Sequence, residues 1–110
     1  MASTATWSAL SDPHRRYVLE LLTERPRDVG ELTTALGLSQ PGTSKHLRTL
    51  RTAGLVRVRV VGQRRVYELN AAPLAELDDW LAPYRRFWDR RLDALGAHLD
   101  ATAHDPDREE

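Results

Sequence analysis

Apolar side chains recur along this chain at two spacings, and the switch between them marks out the elements. Trp7 and Leu10 belong to a short first helix that ends at Ser11-Asp12-Pro13, where Ser11 or Asp12 can cap a second helix and Pro13 suits its first turn. Tyr17, Val18, Leu21 and Leu22 repeat at helical spacing until Arg25-Pro26 stops the run. Asp28 and Glu31 have the spacing of a capping box for a third helix, with Leu32 and Leu36 facing inward and Gly37 closing it. Ser39 caps a fourth helix, predicted from Gln40 to Ala53 and closed by Gly54.

The period then changes. Leu55 to Val61 alternates, Gly62-Gln63 supplies a turn, and Arg64 to Leu69 returns as a second strand. Helical spacing resumes after Asn70 through Leu74, Leu77, Leu81, Tyr84, Trp88, Leu92, Leu95 and Leu99, with Pro83 expected to kink or split the helix. Residues 101–110 are polar and acidic and are expected to fray. The predicted order is four helices, two strands and a last helix. That is a mainly α fold with a small β-hairpin, a winged helix-turn-helix domain over 1–100 followed by the acidic tail.

Composition narrows the function more than the fold. A chain of 110 residues without cysteine has a small core and no disulfide, thiol chemistry or Cys-ligated metal, so self-association is a natural way to bury more apolar surface. The N-terminus lacks the basic and apolar regions of a signal peptide, and no apolar run approaches ~18 residues, so a cytoplasmic protein without a membrane partner is expected. There is no Gly-rich phosphate loop and no Gly-x-Ser-x-Gly, and Ser11, Asp12 and His14 cluster at a helix start rather than forming a triad. Neither an enzyme nor a cofactor is expected.

Sixteen basic side chains balance sixteen acidic ones, but their distribution is uneven. From Leu32 to Tyr67 there is no acid, against seven cations: Lys45, Arg48, Arg51, Arg57, Arg59, Arg64 and Arg65. Eleven acids and only five arginines follow from Glu68 onward. Such a local positive block is the footprint of a surface that meets phosphate. On a helical wheel Thr43, Leu47 and Leu50 fall on the inward side of the fourth helix. Lys45, Arg48, Thr49 and Thr52 lie roughly opposite, with Ser44, Arg51 and His46 on the flanks.

A merely solvated helix face normally mixes charge signs, and this one does not. In a helix-turn-helix the second helix enters the major groove, which makes Gln40, Ser44 and Lys45 candidates for base readout and Arg48 a candidate for base or backbone. At the hairpin tip Gln63, Arg64 and Arg65 are placed to meet backbone or minor groove. Arg57 and Arg59 either join them or blunt an edge strand. Ser39, Thr43, His46 and Arg51 complete the candidate DNA-contacting set.

The run Ser39 to Leu47, then Leu50-Arg51 and Ala53-Gly54-Leu55-Val56, resembles the recognition-helix signature of ArsR/SmtB-type winged-helix repressors. The likeness extends upstream through Leu10 to Arg16 and Val18-Leu19, and downstream through Gly62 to Leu69. It implies a homodimeric repressor of its own operon, bound to an imperfect palindrome in double-stranded DNA and dimerising through first and last helices. The residues matching that interface are Trp7, Leu10, Leu77, Trp80, Leu81, Tyr84, Phe87, Trp88, Leu92 and Leu95. Between the dimer helices an aromatic stripe of this size also leaves room for a small-molecule effector.

The family's metal-sensor motifs are missing. Val29 to Thr34 holds no Cys-x-Cys, and Leu77 to Leu99 has one histidine, His98, and no Asp-x-His. No metal site is therefore expected. Two alternatives stand beside the DNA reading: a winged helix that docks an acidic protein, and a metal gate built from His98, Asp100 and His104. Gly42 departs from the usual alanine at a helix-propensity cost of about 1 kcal/mol, and close approach to DNA is one reason for it.

Overall fold

The computed structural model describes residues 2–102, and the side chains of 2–96 and 99. The elements are α1 (Thr4–Leu10), α2 (Pro13–Glu24), β1 (Arg27–Asp28), α3 (Val29–Leu36), α4 (Gln40–Thr52), β2 (Val56–Val61), β3 (Arg64–Leu69) and α5 (Ala72–Thr102). The chain divides after Leu77 into two compact units, so that most of α5 belongs to the second.

Helix ends follow the capping chemistry legible in the sequence. Asp12 Oδ1 accepts the N–H groups of His14 and Arg15 at 2.7 and 3.4 Å, with Pro13 opening α2. Asp28 and Glu31 cap α3 reciprocally, at 2.8 and 3.3 Å. Gly37 ends α3 at φ 67°, a left-handed conformation that suits glycine. Ser39 Oγ accepts the Gly42 N–H at 3.2 Å and starts α4. A Cβ at Gly42 would lie 3.2 Å from that same Ser39 oxygen, so the glycine gives room to the cap. The α1 carbonyls left open at its C-terminal end are filled from α2: Arg15 Nε donates to Ala9 O at 2.7 Å and Arg16 Nη1 to Leu10 O at 2.8 Å.

A core of Ala9, Val18, Leu19, Leu22, Leu32, Leu47, Leu50, Leu55, Val56 and Tyr67 joins the helices to the sheet. Of the helically spaced run, Tyr17 is exposed, while Leu19, outside that run, joins Val18 and Leu22 in the buried set of α2. The sheet has three antiparallel strands in the order β1-β3-β2, not two. β1 is only Arg27 and Asp28, paired with Tyr67 and Val66, and two residues carry no periodicity to read.

The hairpin β2–β3 runs from Val56↔Leu69 to Val61↔Arg64, turning through Gly62-Gln63 with Gly62 at φ 63°. Its inward face runs out of core along its length. Val56 is buried and Val58 half-buried, but Val60 is 70% exposed. Helix α5 continues unbroken through Pro83 and on to Thr102, into the expected tail. Proline there removes one donor, and its unserved acceptor, the carbonyl of exposed Asp79, is open to water, so the helix is not split. Residues 103–110 and the side chains of His98 and Asp100 lie outside the described residues, and with them the fraying of the tail and the His98, Asp100, His104 group.

Leu50 lies at the centre of the α4 contact and is fully buried. Leu50→Ala is expected to lower unfolding free energy by about 2–5 kcal/mol, read from urea denaturation midpoints at constant m-value.

Candidate nucleic-acid interface

Helix α4 is fixed by its inner side. Thr43, Leu47 and Leu50 are fully or almost fully buried, which turns Lys45, Arg48 and Arg51 outward into solvent. Thr43, counted from sequence among the contacts, is a core residue: its side chain is wholly buried and Oγ1 donates to Ser39 O at 3.0 Å. The Ser39 hydroxyl is engaged in its cap.

Across from α4 stands the wing. Gln40, Ser44, Arg48 and Arg51 from α4 and Arg65 and Tyr67 from β3 line a cleft of about 320 Å³ floored by Val29. An adjoining cleft of about 420 Å³ is bounded by Asp28, Gly30, Gln40, Gln63, Arg64 and Arg65. Three guanidinium side chains thus converge on the first cleft without a carboxylate among its lining residues. Among the described residues, Lys45, Arg48, Arg51 and Arg65 form no ion pair.

The remaining cations of the block are engaged. Arg57 Nη2 lies 3.4 Å from Asn70 Oδ1, and Arg59 Nε lies 3.9 Å from Glu68 Oε2. Both stand on β2, the edge strand, where partners on β3 and just beyond it favour edge protection over a free phosphate contact. Arg64 donates from Nε to Asp28 Oδ2 at 2.9 Å, and its Nη2 forms ion pairs with Asp28 Oδ2 at 2.7 Å and Glu31 Oε1 at 3.6 Å. Glu31 Oε2 in turn receives Arg25 Nη2 at 2.6 Å. This network is not legible from local pattern, because Asp28 and Glu31 precede the acid-free block and only the fold brings them to the wing.

His46 is turned toward α2. Its ring stacks on His14 with centroids 5.4 Å apart, and Arg15 Nη1 lies 3.4 Å from its Nδ1. Asp12, His14 and His46 bring ligand atoms within 4.8 Å of one another, a grouping invisible in sequence because His46 lies on α4, far along the chain from Asp12 and His14. The guanidinium of Arg15 already sits against this group as its cation, and Asp12 Oδ1 is committed to the α2 cap. Burial pushes the Asp12 carboxyl up, but the N–H groups of His14 and Arg15 and the neighbouring positive charges outweigh it and hold it below its ordinary value.

Along α5 the side chains of Trp80, Tyr84, Phe87, Trp88, Leu92 and Leu95 are exposed, while Leu77 and Leu81 are half-buried. Trp80 and Tyr84 rings lie 4.9 Å apart, and Arg91 stands 4.7 Å over the Phe87 ring. On α1, Trp7 is 44% exposed and Leu10 half-buried.

With this geometry in place, comparison with known proteins is decisive. A family profile described as bacterial regulatory protein, arsR family, matches residues 12–58. Over 99 residues, 90% of each chain, the protein is 42% identical to the HTH-type transcriptional regulator Rv2034 of Mycobacterium tuberculosis. The chain belongs to the ArsR family. It is similar also to the transcriptional repressor SdpR of Bacillus subtilis, 32% identical over 78% of this chain and 96% of that one. Among solved structures, the ArsR family transcriptional regulator RHA00566 superposes with a TM-score of 0.70 at 30% identity, over 77% of this chain and 93% of that one. The winged helix-turn-helix and the DNA-binding regulator expected from the sequence are thus those of an ArsR-family protein, a family of transcriptional regulators and not enzymes. Among the described residues no helix is long and apolar enough to cross a membrane.

The carboxylates that hold the wing titrate in a defined direction. The backbone N–H of Glu31, and after it the Arg64 guanidinium, hold Asp28 below its ordinary 3.8. Arg25 first, then the Asp28 N–H, holds Glu31 below 4.5. A carboxyl with a lowered folded pKa stabilises fully above its unfolded value and loses that effect as pH falls through the folded one. The stability difference between wild type and Asp28→Asn/Glu31→Gln is therefore expected to be constant from about pH 6 to 8 and to shrink below about pH 4. Urea midpoints measured across that range check it; a difference that grows on acidification contradicts the assignment.

Proposed function

We propose that the chain acts as a homodimeric repressor in the cytoplasm, binding an imperfect palindrome in double-stranded DNA and silencing the operon that encodes it. Helix α4 enters the major groove, where Gln40, Ser44 and Lys45 read base edges and Arg48 takes a base or the backbone. The wing lies on flanking DNA. The observation that carries this reading is the acid-free run from Leu32 to Tyr67, whose cations Lys45, Arg48, Arg51 and Arg65 have no carboxylate partner among the described residues. The family and the repressor named among the relatives support it.

Self-association draws support from the apolar stripe of α5. Seven large apolar side chains exposed among the described residues of one helix exceed what a small monomer needs in water, and a second copy is the simplest cover. A two-fold dimer also matches half-sites one helical turn apart.

Binding to a duplex carrying the chain's own promoter is expected to weaken steeply with salt, by about 0.9 in the log–log slope for each phosphate neutralised. Lys45→Ala with Arg48→Ala is expected to reduce both affinity and slope in fluorescence anisotropy, and to raise expression of a reporter driven by that promoter. A flat slope, or unaltered binding by the double variant, removes the DNA-contact assignment. Sedimentation is expected to give twice the 12.5 kDa chain mass, and Trp88→Glu with Leu92→Glu to give a monomer with weakened palindrome binding.

A further inference from the structure

The two arginines at the wing tip look equivalent in sequence, but their surroundings differ. Successive residues of a strand point to opposite faces. Asp28 pairs with Val66, so Arg64, two positions back along β3, is on the same face and reaches Asp28 diagonally. Arg65 is directed the other way. It lines the cleft shared with Arg48 and Arg51, is exposed, and has no ion-pair partner among the described residues.

We propose that Arg64 is a positioning residue of the wing rather than a phosphate contact: held on Asp28, it anchors the hairpin to the start of α3 and leaves Arg65 as the wing-tip cation for DNA. This rests on the DNA-binding reading above. Asp28 divides its two oxygens, Oδ1 accepting the α3 cap from Glu31 N at 2.8 Å and Oδ2 accepting the Nε–H of Arg64 at 2.9 Å, with Arg64 Nη2 in ion-pair contact at 2.7 Å. One carboxylate therefore ties the first helix of the helix-turn-helix to the hairpin.

The charge balance argues the same way. Asp28 lines the cleft beside the wing tip, and Glu31 lies within 3.6 Å of Arg64. Were Arg64 to swing onto a phosphate, Asp28 would be left without its ion-pair partner beside the DNA backbone, and like charges at close range repel. Kept in place, Arg64 cancels a carboxylate that would otherwise oppose the phosphates, while Arg25 does the same for Glu31. Substituting a phosphate for this pair exchanges one anion for another and strands the first.

The test compares Arg64→Ala with Arg65→Ala on the same promoter duplex, over a salt titration followed by anisotropy, with circular dichroism to confirm folding. Arg65→Ala is expected to reduce the magnitude of the log–log slope by about 0.9, one phosphate lost. Arg64→Ala is expected to lower affinity several-fold at every salt concentration with the slope unchanged, and to speed amide hydrogen exchange at Val66 and Tyr67, which pair with β1. In the wild-type protein the Arg64 Nε–H resonance is expected to stay in place on adding DNA, while that of Arg65 shifts. A slope loss in Arg64→Ala equal to that in Arg65→Ala, or a shifted Arg64 resonance, makes Arg64 a contact and overturns the proposal. So does an Arg64→Ala protein with unaltered affinity and exchange, which makes the ion pair incidental. Wild-type protein with a flat salt slope is a different result: it removes the DNA reading itself, and this inference with it.

Discussion

Burial of one side of α4 is the constraint on which the rest of the structure depends. Thr43, Leu47 and Leu50 are sealed against the core, and each leucine contributes roughly 1.5–3 kcal/mol by leaving water. A helix with one side sealed has its other side fixed in direction, because the 3.6-residue period ties the two together. The outward orientation of Lys45, Arg48 and Arg51 is thus a consequence of core packing. Everything that holds α4 serves this: the Ser39 cap, the left-handed Gly37 turn from α3, and the His46 ring stacked on His14 of α2.

A second constraint is electrostatic and local. The seven cations between Leu32 and Tyr67 form one block only along the sequence. In space Arg57 and Arg59 find polar partners on or beside the sheet, Arg64 is taken by Asp28 and Glu31, Arg48, Arg51 and Arg65 converge on the α4–β3 cleft, and Lys45 stands exposed on α4. The unpaired charge is therefore more focused than the count suggests. Focused charge beside low-dielectric walls attracts an anion more strongly than the same charge spread over a surface. The same ion pairs give the wing a fixed footing on α3, so one set of carboxylates both caps a helix and orients a hairpin.

Much of the fold was legible because its signals are local. Capping at Asp12, Asp28 and Ser39, the stop at Gly37 and the hairpin turn at Gly62 each depend on a few adjacent residues, and each appears where the sequence places it. The misreadings share a cause. Tyr17 is apolar enough to fit a helical stripe, yet which of two adjacent stripes is buried depends on what packs there. Val60 keeps the alternation of β2, but the hairpin outruns the core beneath it. β1 is a strand only because β3 lies alongside. Thr43 falls on the inward side of the helical wheel and also stands among the candidate contacts; its burial, with its hydroxyl on Ser39 O, removes the second reading.

The sequence by itself determined the helices α1 to α5 and the β2–β3 hairpin, their order, the family resemblance and the existence of a cationic, acid-free region, since composition, period and capping all act over a few residues. Tertiary structure decided which cations remain free. Asp28 and Arg64 are 36 residues apart, and their pairing depends on β1 and β3 lying side by side, a long-range register that no local pattern encodes. Likewise Arg15 reaches His46 across 31 residues only after α2 and α4 have packed. Charge in a sequence is an inventory of what each residue carries. Its effect on a phosphate depends on distance and on what stands between, and those are fixed only when the chain has folded.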